Sequence, residues 1–272
     1  MTLPSSLSLQ AVVVDWAGTI VDHGSRAPVE AFREVFRRRG VEITVAEARE
    51  PMGMEKRDHI VALLSNPRIG AAWRAVYGGD ASDCEIDSLY HDFLPLQSEL
   101  LTHHADVIPG ALEALAECRR LAMRIGSSSG YAAPLMETLV PLAEQNGVKV
   151  DAVVSASEVP KGRPAPWMIL ENMKRLGVYP PASVVVVDDT TVGVEAGVNA
   201  GAWSIGVIET GNALGLGVEE LAELDLGERE RRSSAGRAAM LAAGAHYAIN
   251  SIADLPKTLA VIAERLAAGE RP

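Results

Sequence analysis

Short apolar runs recur along this chain and limit what it can fold into: AVVVD (11–15), MRIGSSS (123–129), DAVVSA (151–156), SVVVVDD (183–189), AWSIGVI (202–208) and a weaker AHYAI (245–249). Apolar runs without alternation read as strands covered on both faces, the habit of parallel sheets. Helical patterns lie between them at ALEALAECRRLA (111–122), APLMETLVPLAEQNG (133–147) and PWMILENMKRLG (166–177). Strands alternating with helices predict an α/β fold built on a doubly wound parallel sheet. Such a sheet gathers ligands at the carboxyl ends of its strands. Aromatic residues make up only 4% of the chain, so its core must lean on Val, Leu, Ile and Ala.

The alternation breaks between about residues 24 and 104, where helical patterns occur without a strand. VEAFREVFRRRG follows Pro28 and ends at Gly40, which suits a helix with Pro at its start and Gly past its end. KRDHIVALL and ASDCEIDSLYHDFLPLQSELL also read as helical. The expectation is an α/β core of residues 1–23 and 105–272 carrying an inserted helical cap, 24–104. The two crossings, near 22–26 and 103–107, would act as hinges. GNALGLG (211–217) reads as a mobile loop, because glycine permits many conformations.

The net charge of −11 argues against a nucleic-acid partner, which calls for a basic surface. An acidic protein that handles an anionic substrate must hold positive charge locally, in its site. Cys84 and Cys118 form neither a disulfide framework nor a zinc pattern. The first ten residues lack a basic leader, and no apolar run is long enough to cross a bilayer, so neither secretion nor a membrane is expected and a reducing cytoplasm is the default.

Four features carry chemistry. Asp15-Trp16-Ala17-Gly18-Thr19 puts an acid at a strand end before a Gly turn, with Thr19 placed to orient the carboxylate. Ser127-Ser128-Ser129 ends another strand and can donate to phosphoryl oxygens. Gly162-Arg163-Pro164 sets an Arg fork before a helix. Val187-Asp188-Asp189-Thr190 ends a third strand with paired acids, which need a cation or donors beside them. Each has a plain structural alternative, since strand-end Asp caps turns, serines form turns and arginines sit on surfaces.

In this order the four features resemble the haloacid dehalogenase superfamily of phosphotransferases. One departure stands out: its phosphatases carry a second Asp where this chain has Ala17. The insertion offers a reason, because PMGMEKRDHI (51–60) resembles the cap signature of phosphonoacetaldehyde hydrolases. On a helix Met52, Lys56 and His59 would share one face. The resemblance continues through NPRIGAAWRAVYG (66–78), IPGALEAL (108–115), IGSSSGY (125–131), GRPAPWM (162–168), LGVYP (176–180) and NAGAWSIGVI (199–208), nearly the whole chain.

The resemblance implies hydrolysis of the carbon–phosphorus bond of phosphonoacetaldehyde, a small-molecule phosphonate, to acetaldehyde and phosphate, in the breakdown of 2-aminoethylphosphonate. It implies Asp15 as nucleophile, Lys56 as Schiff base and His59 as a proton relay. Met52, Ser127, Ser128, Tyr131 and Arg163 would contact the substrate. Mg²⁺ would be held by Asp15, the carbonyl of Ala17 and Asp189, and the enzyme would be a homodimer. Some relatives have Cys where this chain has Ser25, and some have Gly-Asp with a later second acid where it has Asp188 and Gly193, so that carboxylate has moved. Since side chains alternate along a strand, only one of Asp188 and Asp189 should face the metal, and the resemblance selects Asp189. The rivals are a phosphatase or phosphomutase on the same fold, a phosphonate-binding protein without turnover, and a haloacid dehalogenase proper.

Overall fold

The computed structural model describes residues 7–272. Six strands run parallel in the order β3-β2-β1-β4-β5-β6: β1 (Ala11–Val14), β2 (Arg124–Ser129), β3 (Ala152–Ser155), β4 (Val184–Asp188), β5 (Trp203–Val207) and β6 (Tyr247–Ile249). All six coincide with the apolar runs, and the weakest run is the edge strand β6. The helices between them are α6 (Ala111–Arg120), α7 (Ala133–Gln145), α8 (Trp167–Leu176), α9 (Thr191–Asn199), α10 (Val218–Glu223) and α11 (Leu226–Ala242), with α12 (Leu255–Ala267) closing the chain. The central strands are buried along their whole length, as a sheet covered on both faces requires.

Between β1 and α6 the chain makes only helices: α1 (Ala27–Arg38), α2 (Val45–Arg49), α3 (Lys56–Ser65), α4 (Pro67–Tyr77) and α5 (Asp83–His104). They enclose an apolar cluster of their own around Phe32, Phe36, Ile60, Leu63, Trp73, Leu89 and Phe93. The two crossings lie side by side, since Asp22 N–H donates to the Asp106 carbonyl (3.1 Å) and Val21 bridges to Val107. No helix among the described residues is long and apolar enough to cross a membrane.

The sheet's register fixes where its chemistry falls. Val14 pairs with Ser127 on one side and Val187 on the other. The next residues outward are therefore Asp15, Ser128 and Asp188, abreast at the carboxyl edge. The strand order also turns at β1, leading to β2 on one side and to β4 on the other, which opens a crevice there.

Candidate active site

A cavity lies over this edge, lined by residues of both regions. From the sheet side come Asp15, Ala17, Ser129, Arg163 and Asp189; from the helical side come Met52 and Lys56. Asp15 is 5% exposed. Its Oδ1 accepts a 2.7 Å hydrogen bond from Nη2 of Arg163, which also donates to the Ser128 carbonyl (2.9 Å) and Oγ (3.0 Å). The same nitrogen lies 2.9 Å from Oδ2 of Asp188. Arg163 thus ties the ends of β1, β2 and β4 together.

Ligand atoms of Asp15, Asp188 and Asp189 all lie within 4.8 Å of one another. Burial raises the Asp15 pKa to about 7 against the pull of Arg163, and Asp188 adds to the rise. Burial likewise holds the Asp189 carboxyl well above its usual range, with Asp15 and Asp188 contributing. Three buried acids answered by one guanidinium are a site short of positive charge, and they can hold a divalent cation. Among the described residues the side-chain atom Oδ2 of Asp188 also lacks a hydrogen bond of good geometry, although Arg163 is near.

Alternation along the strand does not separate the paired acids as expected. β4 ends at Asp188 and Asp189 lies in the bend beyond it, so the two-residue period stops between them. Asp188 accepts from the Thr190 N–H (2.9 Å) and hydroxyl (2.7 Å), while Asp189 Oδ2 accepts from the Asn212 N–H (2.7 Å). The later position, Gly193, is closely related to this arrangement: a Cβ there would sit 2.0 Å from the Asp188 carboxyl carbon. Carboxylates at 188 and 193 would contend for one space, and this chain keeps the first.

Lys56 opens α3, whose amides at Arg57 and Asp58 are capped by the Glu55 carboxylate. Its side chain is 2% exposed, with Nζ 5.0 Å from the Tyr131 ring centroid and 5.8 Å from that of Phe32. No carboxylate among the described residues lies within ion-pair distance of it. Burial lowers its pKa to about 8, although Asp15 favours the charged form. A pKa this low leaves an appreciable fraction of Lys56 neutral near physiological pH, the form a nucleophilic amine needs.

Several expected placements differ. Met52 lines the cavity from a turn preceding α3, not from the helix face; Glu55 caps the helix, and Gly53 makes the turn at φ +91°. His59 is on α3 and buried, but it stacks on Phe32 (3.8 Å) with Nε2 3.0 Å from the Ala48 carbonyl, and it does not line the cavity. Burial and Lys56 keep it neutral, well below the usual histidine range. Ser127 gives its hydroxyl to the Ala152 carbonyl (3.2 Å) and Ser128 is occupied by Arg163, so Ser129 and Gly130 line the cavity instead. Thr19 does not orient Asp15: its Oγ1 is buried without a partner. Tyr131 does line the cavity.

Sequence reasoning missed Ser129 and Thr190 as lining residues. Pattern alone gave no signal for Ser129, since the register sets Ser128 abreast of Asp15. The turn at 52–54 presses on the sheet side closely: a Cβ on Gly130 would lie 2.8 Å from the Met54 carbonyl oxygen, and one on Gly53 2.3 Å from Thr190 Oγ1.

Comparison with known proteins places this geometry. Residues 9–201 match the haloacid dehalogenase-like hydrolase family model. A phosphonoacetaldehyde hydrolase of Pseudomonas aeruginosa is 45% identical over 265 residues, 97% of this chain and 96% of that one. One of Nitratidesulfovibrio vulgaris is 43% identical over 264 residues, 97% of this chain and 94% of that one. The crystal structure of a phosphonoacetaldehyde hydrolase-like protein from Oleispira antarctica superposes with TM-score 0.96 at 36% identity, covering 100% of both chains. A β-phosphoglucomutase from Clostridium difficile shares the fold, with TM-score 0.61 at 20% identity over 84% of this chain and 98% of that one.

Proposed function

The chain belongs to the phosphonoacetaldehyde hydrolases, within the haloacid dehalogenase-like hydrolases, and from that membership we propose how its residues divide the work of breaking a carbon–phosphorus bond. The reaction is phosphonoacetaldehyde plus water to acetaldehyde plus phosphate. A carbon–phosphorus bond resists simple hydrolysis because the departing carbanion is poorly stabilised. Neutral Lys56 condenses with the aldehyde, losing water, and gives an iminium that can accept the electron pair. Asp15 attacks phosphorus; the carbon–phosphorus pair moves into the iminium, leaving an enamine on Lys56 and phosphate on Asp15. Water hydrolyses the aspartyl phosphate, the enamine takes a proton at carbon, and hydrolysis of the resulting imine frees acetaldehyde and Lys56.

No alcohol or amine leaves in the bond-breaking step, so no side-chain acid is needed at Ala17. This speaks against a phosphatase or phosphomutase, which must protonate a leaving oxygen. Asp15, the Ala17 carbonyl and Asp189 would hold Mg²⁺, which supplies positive charge against the phosphonate and the carboxylates. Arg163, already on Asp15, is close enough to share phosphoryl oxygens, and Ser129 borders the same space, with Ser128 behind it on Arg163. Met52 and Tyr131 wall the aldehyde end. His59 is set back from the cavity beside Lys56, neutral and packed on Phe32, so it supports the Lys56 helix from behind more than it relays protons. Helices α1–α5, as residues 24–104, act as the cap whose closure excludes water until the imine has formed. The enzyme works in this reading as a homodimer in the cytoplasm, where unpaired Cys84 and Cys118 are at home.

The observation that carries the reading is Lys56, buried without a counter-ion in the cavity that holds Asp15. The test supplies phosphonoacetaldehyde with Mg²⁺ and follows acetaldehyde and phosphate together. Equal release supports it; phosphate from phosphate esters with none from the phosphonate overturns it.

A further inference from the structure

Arg49, the last residue of α2, reaches out of the helical region and grips two other pieces of chain. Nη1 donates to the Gly24 carbonyl (2.8 Å) and more weakly to that of Ser25 (3.3 Å), on the first crossing. It also donates to Oδ1 of Asn212 (3.0 Å), and Nη2 donates to the Gly215 carbonyl (3.0 Å), both on the loop after β5. Asn212 returns the contact, its side-chain amide donating to the Arg49 carbonyl (3.2 Å). The loop is shaped for this grip: Gly215 has φ +67°, and a Cβ there would lie 2.4 Å from Arg49 Cζ. The glycine-rich loop expected to be mobile is thus held at several points.

Asn212 also carries the backbone N–H that donates to Asp189 Oδ2 at 2.7 Å. Loop and carboxylate are in close contact, since a Cβ on Gly211 would lie 2.4 Å from the Asp189 Cβ. Arg49, Asn212 and Asp189 therefore form one connected chain from the helical region to the acid cluster. We propose that Arg49 is a positioning residue for the carbon–phosphorus hydrolysis: by clasping Asn212 and Gly215 it sets the orientation of Asp189, so that docking of the helical region completes the cation site. This rests on the reading of Asp189 as a metal ligand.

The sign of one effect separates positioning from simple charge. Arg49 is a cation near Asp189, so electrostatics alone would make Arg49→Met bind Mg²⁺ more tightly. Positioning makes the same variant bind Mg²⁺ more weakly, by about 10–100-fold, as loss of groups that orient metal ligands does. Asn212→Ala keeps the N–H to Asp189 and deletes only the link to Arg49; it should weaken binding in the same direction. The double variant should be no worse than the weaker-binding single, because both cut one chain.

The experiment measures Mg²⁺ affinity by calorimetry and hydrogen exchange of the 209–217 peptide without metal, in wild type, Arg49→Met, Arg49→Lys, Asn212→Ala and Asp189→Ala. Exchange of that peptide should quicken on the order of tenfold or more in Arg49→Met as the loop opens locally. Arg49→Lys keeps the charge but not the fork, and should recover little of either property. Wild-type exchange in Arg49→Met overturns the clasp. Unchanged or tighter Mg²⁺ binding in Arg49→Met, with binding lost in Asp189→Ala, overturns the positioning role while the metal reading stands. Wild-type binding in Asp189→Ala overturns the metal reading and with it the proposed role of Arg49 in completing that site.

Discussion

The two sides of the cavity are built by opposite means. On the sheet side Asp15, Asp188, Asp189 and Arg163 crowd together, and backbone amides and hydroxyls hold them in place. On the helical side Lys56 stands alone against Tyr131 and Phe32. The packing beneath differs in the same way. All three phenylalanines of the chain, Phe32, Phe36 and Phe93, lie in the helical cluster, whereas the sheet is covered mostly by Val, Ile, Leu and Ala. The difference teaches how one cavity can hold a cluster of acids and an amine of lowered pKa. The acids are held where partners are fixed at a strand edge, and the charged form of the amine is disfavoured where apolar walls withhold partners.

The sharpest test of that contrast removes one reactive group from each side. Lys56→Arg should lose turnover by several orders of magnitude, because guanidinium stays protonated and cannot condense. Borohydride with acetaldehyde should add a two-carbon mass to the Lys56 peptide in wild type. Asp15→Asn should release no phosphate yet still be trapped at Lys56. Label on another lysine would break the division of labour.

Within the sheet side the two neighbouring acids should differ. Asp189→Ala should nearly abolish Mg²⁺-dependent activity without rescue by added metal. Asp188→Ala should weaken Mg²⁺ affinity by about 10–100-fold and be partly rescued. Titrating Mg²⁺ against both variants decides it, and the reverse ranking moves the ligand role to Asp188.

Protonation gives a further contrast. The rate of trapping at Lys56 should rise with pH up to about 8, where burial has placed its pKa, and then level off. A plateau deferred to the ordinary lysine range would mean that burial does not neutralise it. For the acids the sign is opposite. Asp15 is raised to about 7 and Asp22 to about 6, both chiefly by burial. Groups whose folded pKa is raised favour the folded state at low pH and lose that contribution as pH rises through the folded value. Metal-free protein should therefore lose thermal stability between about pH 4 and 7. Mg²⁺ should offset much of that loss; melting curves with and without chelator would expose a flat profile if the acids are not strained.

The smallest expected effect lies at the seam between the sides. Gly130→Ala should weaken substrate binding more than it alters the fold, because its new methyl meets the Met54 carbonyl in the turn that carries Met52. Overpacking of this kind costs about 1–3 kcal/mol. KM rising together with a fall of a few degrees in melting temperature is the expected pattern.

Strand positions were legible in the chain because a parallel sheet buries both faces, and continuous apolar runs have few other uses. The acids were legible as residues for the same reason: they stand next to those runs, at ends that parallel packing must bring together, whereas Arg163 was legible from its place before a helix. The helices α9, α10, α11 and α12 were not anticipated, and α11 shows one reason, burying only Ser233, Gly236 and Met240. Local pattern also misplaced finer points. Spacing put Met52 on a helix face, but Glu55 caps the helix after it; alternation was applied to Asp189, but the strand had already ended. Which serine faces the cavity, that His59 turns into the helical region's aromatic cluster, and that Arg49 reaches Asn212 across 163 positions were decided by tertiary structure alone. Spacing along the chain fixes which side chains share an element, whereas partners brought together by docking two separately packed regions depend on contacts that no local stretch encodes.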